Sequence, residues 1–385
     1  MSGSLRVQRK IPILLAGSLL GLWAAFACIP WLPLESLLVW KTTIAVTEFG
    51  QWWALLVALT GTAVLGFAGR GRDCNGFALA YAALVIVFLA PFIRARDVAA
   101  QADRELTAWF GADPEIEIPS LLRAWSLPAQ VTAPTETEEF APGLRLDYYR
   151  AVGSGPVPWL VVVHGGGWNS GDRTQLPELN GELVRRGISV IAVSYGFSPA
   201  HPWPAPREDV RAAIRYVREH AAKWNLDPSR WAILGRSAGG QIAESVAYSA
   251  YDPTLKGCIS FYAPADLVFA YRYARGDDML NSPLLLRDYL AGPLESRTPA
   301  YEDASPILQV KKGLPPTLLI HGNRDTLVWD AQSRRLAARL REAGVPVVHL
   351  ELPWATHGFD YTLHGPGGQL STYAVERFLK GVFSK

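Results

Sequence analysis

Gly235-Arg236-Ser237-Ala238-Gly239 follows the apolar pair Ile233-Leu234 and precedes a stretch of helical character over residues 241–250. A serine in Gly-x-Ser-x-Gly between a strand and a helix sits on a sharp turn, with its hydroxyl exposed at the helix N-terminus. Glycines at 235 and 239 remove the Cβ atoms that would crowd that turn. The helix N-terminus favours negative charge that develops beside the serine. Taken alone, the same motif also describes an ordinary Gly/Ser-rich loop, so the assignment depends on partners elsewhere in the chain.

A serine hydroxyl is a weak nucleophile. It needs a base to take its proton and a third group to orient that base. In α/β sheets with this serine turn, the acid and then the histidine follow the serine in chain order. Downstream, His321-Gly322-Asn323-Arg324-Asp325 follows an apolar run, which places Asp325 at the carboxyl end of a strand, where such sheets bind ligands. Asp325 is the expected acid. Asp330 is the nearby alternative, but it reads as the N-cap of the helix that follows. Ala355-Thr356-His357-Gly358-Phe359 follows the last strand, and His357 is the expected base. His321 and His349 read as structural, Asp360 as mainly structural, and His201, His220 and His364 lack a comparable context.

The remaining requirement is a site for a developing oxyanion. His164-Gly165-Gly166-Gly167-Trp168 comes directly after a third apolar strand. Glycine backbone N–H groups can point into a cavity with no side chain in the way, and the N–H of the residue after the nucleophile can join them. The expected donors are Gly166, Gly167 and Ala238. His164, Gly165, Trp168, Gly235 and Gly239 are the expected supporting residues. A phosphate-binding loop would need Lys-Ser or Lys-Thr after the glycines, whereas Trp168-Asn169 follows here.

These residues need a scaffold that brings four strand ends to one edge. Apolar strands are expected over residues 159–163, 189–194, 231–234, 257–262, 317–321 and 347–350. Helices are expected near 174–186, over 207–223, 330–343 and 371–383, with Val210, Ala213, Ile214 and Val217 on one face of the second. That alternation predicts a mostly parallel α/β sheet. Residues 266–305 break the rhythm and read as a lid inserted over the site.

The front of the chain has a different composition. Residues 11–29, 52–68 and 76–93 carry no charged side chain, and each is close to the length needed to cross a bilayer. Three membrane spans are expected, making residues 1–94 a multi-pass anchor. A signal peptide at the first run, or buried core helices, are the alternatives. Residues 30–51 read as a loop or interfacial segment, and Gly69-Arg70-Gly71-Arg72-Asp73 as a tight charged turn. Basic residues Arg6, Arg9, Lys10, Arg70 and Arg72 on one side predict a cytoplasmic N-terminus, which puts the domain after residue 94 on the extracytoplasmic side. Residues 95–140 are expected to hold lid helices and a linker, with residues 128–143 a linker or edge strand. The catalytic unit is expected over residues 141–385. The net charge of +2 does not suggest nucleic acid or acidic substrates. Cys28, Cys74 and Cys258 are far apart and suggest neither disulfides nor a metal site.

In combination these motifs resemble the hormone-sensitive-lipase-like branch of the α/β-hydrolases, which includes acetyl esterases and isoprenylcysteine methylesterase relatives. The matching residues are His164 to Trp168, Gly235 to Gly240, Asp325 and His357, together with Ser194-Tyr195 and His201-Pro202-Trp203-Pro204-Ala205, and Asp209-Val210. The resemblance covers roughly residues 145–385. It implies an α/β-hydrolase with a helical lid that cleaves short acyl or methyl esters through an acyl-enzyme and uses no cofactor. The membrane front makes a lipid-linked ester a further expected substrate. An amide hydrolase on the same residues, or a catalytically dead membrane scaffold, are the alternative readings. One departure concerns the residue before the serine: many relatives carry Asp or Glu there, and this chain has Arg236.

Overall fold

The computed structural model describes residues 2–33, 36–68, 72–112, 119–126, 132–250 and 252–384, without side chains for residues 2–13, 67, 68, 72 and 73. Residues 69–71 of the expected charged turn, and residues 113–118 and 127–131 of the expected lid and linker stretch, therefore lie outside the described residues, while Arg72 and Asp73 already belong to a helix.

The front consists of helices α1 (Ser2–Cys28), α2 (Leu37–Glu48), α3 (Gly50–Ala68) and α4 (Arg72–Phe110). The expected spans fall in α1, α3 and α4, the first running one residue past the end of α1. Leu14–Trp31 and Cys74–Phe110 are long and apolar enough to cross a membrane, and the pair Leu37–Glu48 and Gly50–Gly66 forms a third such unit bent by 79°. Inside this bundle, Trp23, Phe26, Trp53 and Phe88 pack edge to face. Leu14, Leu22, Leu59 and Leu79 point outward, each more than half exposed. Backbones come very close at Gly50, where a Cβ would stand 2.1 Å from the Phe88 carbonyl oxygen. Small residues at such crossings are what let apolar helices pack in lipid.

The rest of the chain alternates as its periodicity requires. In order come β1 (Glu136–Ala141), β2 (Leu144–Tyr149), β3 (Val157–Val163), α5 (Glu178–Arg185), β4 (Ser189–Val193), α6 (Ala205–Glu219), β5 (Leu226–Arg236), α7 (Ala238–Ser249) and β6 (Leu255–Phe261). Then follow α8 (Leu267–Tyr273), α9 (Ser282–Tyr289), α10 (Leu294–Asp303), β7 (Thr317–Gly322), α11 (Ala331–Glu342), β8 (Val347–Leu352) and α12 (Pro366–Phe383). One eight-stranded sheet has the order β1-β2-β4-β3-β5-β6-β7-β8. The β1–β2 and β2–β4 pairings are antiparallel, and all the others are parallel.

Because strand side chains alternate between faces, β3 and β5 feed two cores. Val161, Val163 and Ile233 join α6 and α7 on one face. Leu160, Val162 and Leu234 join α5, α12 and the end of α4 on the other. Each fully buried aliphatic side chain contributes roughly 1.5–3 kcal/mol. Helix α6 buries Val210, Ala213, Ile214 and Val217 as its period predicts.

Of the two readings of residues 128–143, linker or edge strand, Glu136–Ala141 takes the second, pairing with β2 from Glu136↔Tyr148 to Ala141↔Leu144 at the edge of the sheet. Two other segments differ from expectation. Residues 37–48 form a helix rather than a loop, capped by the Ser36 hydroxyl on the Val39 N–H. Residues 97–110 were expected to lie in a lid, but they continue α4 beneath the sheet. Ala95, Ala99, Ala102 and Leu106 recur at helical spacing and are fully buried with α12. Tyr373 Oη donates to Asp103 Oδ1 at 2.8 Å and fixes the register of that contact.

Candidate active site

The parallel strands deliver the chemistry-bearing residues to one edge. Ser237 follows β5, Asp325 lies just past β7, His357 lies past β8, and the glycine run follows β3. Ser237 adopts φ 53°, ψ −123°, a conformation that L side chains rarely take. It survives because the backbone around it is locked. The Ser237 N–H donates to the Phe261 carbonyl at 2.9 Å, and the two flanking glycines lie in close contacts. A Cβ on Gly235 would stand 2.1 Å from the Gly239 carbonyl oxygen, and one on Gly239 would stand 2.2 Å from that of His164.

His357 Nε2 lies 2.9 Å from Ser237 Oγ, and His357 Nδ1 lies 2.6 Å from Asp325 Oδ2. The other Asp325 oxygen accepts from the Leu327 and Val328 N–H groups at 3.0 and 2.9 Å. Burial alone would raise the Asp325 carboxyl. The His357 charge and the hydrogen bonds from His321 and His357 outweigh it and bring it down to about 2. Asp325 is therefore a carboxylate at neutral pH. His321 lies beneath it, with Nε2 donating to the Val328 carbonyl at 2.8 Å and Nδ1 2.6 Å from Ser333 Oγ. His349 is buried in β8, and burial brings its imidazole down to about 4.

The glycine run lies against the serine turn. A Cβ on Gly165 would come within 3.4 Å of Ser237 Cβ, and Gly166 and Gly167 have φ of 128° and 58°. Gly167, Trp168, Ser237 and Ala238 line one open cavity. Its other walls come from α8, α9 and the acid loop, chiefly Phe269, Tyr273, Leu285, Leu286, Leu327 and Trp329. The inserted stretch 266–305 is thus the helical wall of the site.

Several supporting residues carry no motif. Gln175 Oε1 accepts from the Gly165 N–H at 2.9 Å. The Trp168 ring stacks on Tyr289 of α9 at 4.3 Å, and both donate to Gln241 Oε1, at 3.0 and 2.8 Å. His164 stacks on Tyr195, whose hydroxyl donates to the His164 carbonyl at 3.1 Å. Arg236, the departure from the family motif, is buried and pairs with Asp360 Oδ2 at 2.5 Å. The Tyr262 hydroxyl donates to the other Asp360 oxygen at 2.6 Å. Burial alone would lower the Arg236 guanidinium, but the Asp360 charge more than offsets it, and Arg236 stays charged. An acidic residue before the serine would face Asp360 here, so the arginine and Asp360 belong together. The only sequence signal for this pair was the departure itself.

A family model described as BD-FAE matches residues 146–340, about half of the chain. The chain belongs to the BD-FAE family. The matched region holds the glycine run, Ser237 and Asp325, while His357 and the whole front lie outside it. Among curated relatives, this BD-FAE chain is 31% identical over 247 residues to the probable carboxylic ester hydrolase LipM of Mycobacterium tuberculosis, covering 60% of this chain and 56% of that protein. It is 34% identical over 243 residues to esterase LipQ of the same organism, covering 59% and 58%. The chain thus spans less than two thirds of the length of these relatives. Among solved structures, esterase LipW of Mycobacterium marinum aligns over 78% of this chain and 91% of its own, with a TM-score of 0.57 and 24% identity. That likeness is one of fold.

Proposed function

We propose that this chain is a membrane-anchored serine hydrolase that cleaves carboxylic esters through Ser237, His357 and Asp325. The observation that carries the reading is the relay of 2.9 Å from Ser237 Oγ to His357 Nε2 and 2.6 Å from His357 Nδ1 to Asp325. His357 takes the serine proton as Ser237 Oγ attacks the ester carbonyl. Asp325, ionised at neutral pH, holds the tautomer and stabilises the imidazolium. The N–H groups of Gly166, Gly167 and Ala238 receive the oxyanion. His357 then protonates the leaving alcohol, and a water activated by the same imidazole releases the acid from the acyl-enzyme. The relatives named as ester hydrolases support the ester class. The apolar wall of α8 and α9 favours an uncharged acyl group. With α1, the α2–α3 unit and α4 as spans, the substrate is a small or lipid-linked ester met at the extracytoplasmic face of the membrane.

The test is labelling of detergent-solubilised protein with a fluorophosphonate, comparing wild type with Ser237→Ala. Labelling of the wild type and its loss in the variant, followed by turnover of short p-nitrophenyl esters, supports the reading. A folded wild type that neither labels nor turns over esters refutes it.

A further inference from the structure

We infer that Trp40, in the membrane-proximal helix α2, is a positioning residue for the histidine of the active site. The front of the chain is then a working part of the site as well as an anchor. The inference rests on the reading of His357 as the base.

Trp40 Nε1 donates to the backbone carbonyl of His357 at 2.7 Å. That contact joins residues far apart in sequence and reaches the backbone of the base itself. It does not stand alone. Gly358, next to the histidine, packs against the same indole and Ile44, each 3.5 Å from where its Cβ would be. One helical turn further, Glu48 is buried and accepts from the Gly367 N–H at 2.8 Å and from Trp354 Nε1 at 3.3 Å. Trp40, Ile44 and Glu48 recur every four residues, so they form one face of α2. That face touches the connection from β8 to α12 at Trp354, at His357 and Gly358, and again where α12 begins. The acid loop is touched as well. The Arg324 guanidinium, adjacent to Asp325, lies 4.2 Å over the ring of Trp31, just before α2.

The physical consequence follows from where each side chain of the relay gets its position. Ser237 is fixed by its own strand-to-helix turn, and Asp325 by N–H groups of its own loop. His357 lies on a long connection between β8 and α12. That connection is tied on the sheet side through Asp360 and on the other side by Trp40. Without the indole donor, the carbonyl of residue 357 can turn away and carry the imidazole with it. A displacement of about 1 Å in a reacting group can cost about 100-fold in rate.

The experiment uses the full chain in detergent or nanodiscs. Active sites are counted by stoichiometric fluorophosphonate labelling, and kcat per labelled site and KM are measured on a p-nitrophenyl ester. Trp40→Phe keeps an aromatic ring of smaller size but removes the donor. Trp23→Phe, which loses an indole bond to Thr60 inside the bundle, is the control. The expected result for Trp40→Phe is kcat per labelled site lowered about 10- to 100-fold with KM unchanged, while Trp23→Phe matches wild type. A Trp40→Phe protein that labels less but turns over at the wild-type rate per labelled site overturns the inference, since α2 would then serve folding alone. If Trp40→Phe yields no labelled protein, Ile44→Ala, on the same face, carries the test with the same two outcomes. Wild-type protein that does not label at all refutes the active-site reading itself, a different failure from either of these.

Discussion

The Arg236–Asp360 pair sets a sharp energetic test of how the histidine loop is held. Both side chains are 3% exposed, so neither charge has water to fall back on. Removing one partner leaves a bare buried charge, which costs about 3–5 kcal/mol. For a catalytic domain of this size, about 2–4 °C of Tm is lost per kcal/mol, so Arg236→Met or Asp360→Leu should each lower Tm by about 6–20 °C. The double variant carries no buried charge at this point. It leaves the Tyr262 hydroxyl without its acceptor, at about 1–3 kcal/mol. If the losses simply added, the double variant would lose about 6–10 kcal/mol, so the two schemes are well separated. Thermal unfolding of the detergent-solubilised full chain, followed by tryptophan fluorescence, gives the four corners of the cycle. Additive losses would refute the argument that Arg236 is retained as the partner of Asp360.

Further outcomes follow from the same site. Asp325→Asn should lower kcat per labelled site by about 10⁴-fold, because the amide favours the wrong imidazole tautomer, and stopped assays on a p-nitrophenyl ester read this directly. Glu244 of α7 is fully buried, and burial raises its carboxyl to about 8, against an ordinary value of 4.5 in the unfolded chain. The folded state therefore keeps a proton that the unfolded state releases, and stability falls as pH climbs from about 4.5 to about 8. Glu244→Gln should lack that slope, so its Tm should gain on the wild type between pH 5 and pH 9, and equal slopes would refute the assignment. A C-terminal alkaline phosphatase fusion should be active and a C-terminal green fluorescent protein fusion dark if the catalytic domain is extracytoplasmic, and the reverse pattern would place it in the cytoplasm.

The sheet was legible because its strands announce themselves. Continuous runs such as Trp159–Val163 and Thr317–His321 are buried on both faces, which only a covered parallel sheet demands. The expected site residues were legible because each sits at a strand end with distinctive glycine or histidine neighbours, and the structure brings Ser237, His357 and Asp325 within hydrogen-bond reach. What was not legible is the support. Gln241, Tyr289 and Gln175 make their bonds across long sequence separations, and no local spacing marks them. Helix α2 was missed because its packing face is Trp40, Ile44 and Glu48, a mixture of aromatic, aliphatic and acidic residues with no amphipathic period. Residues 97–110 carry a genuine helical signal, but sequence could not say that Ala95, Ala99 and Ala102 seat against α12 rather than over the site.

Helix α4 runs for 39 residues, with Pro91 inside it, about 58 Å along its axis at 1.5 Å per residue. With α4 as a span, as proposed, a bilayer core takes up about 30 Å of that length. The remainder is the stretch that seats beneath the sheet through Ala99, Ala102 and Asp103. An enzyme tethered by a flexible linker sweeps a shell above its membrane and samples substrate at any height within reach. A domain bolted to a continuous rod has one height and one tilt. On the proposed reading of a membrane-anchored ester hydrolase, selectivity is then partly a matter of altitude: an ester group at the right depth is presented at high local concentration, and a chemically identical one a nanometre away is out of range.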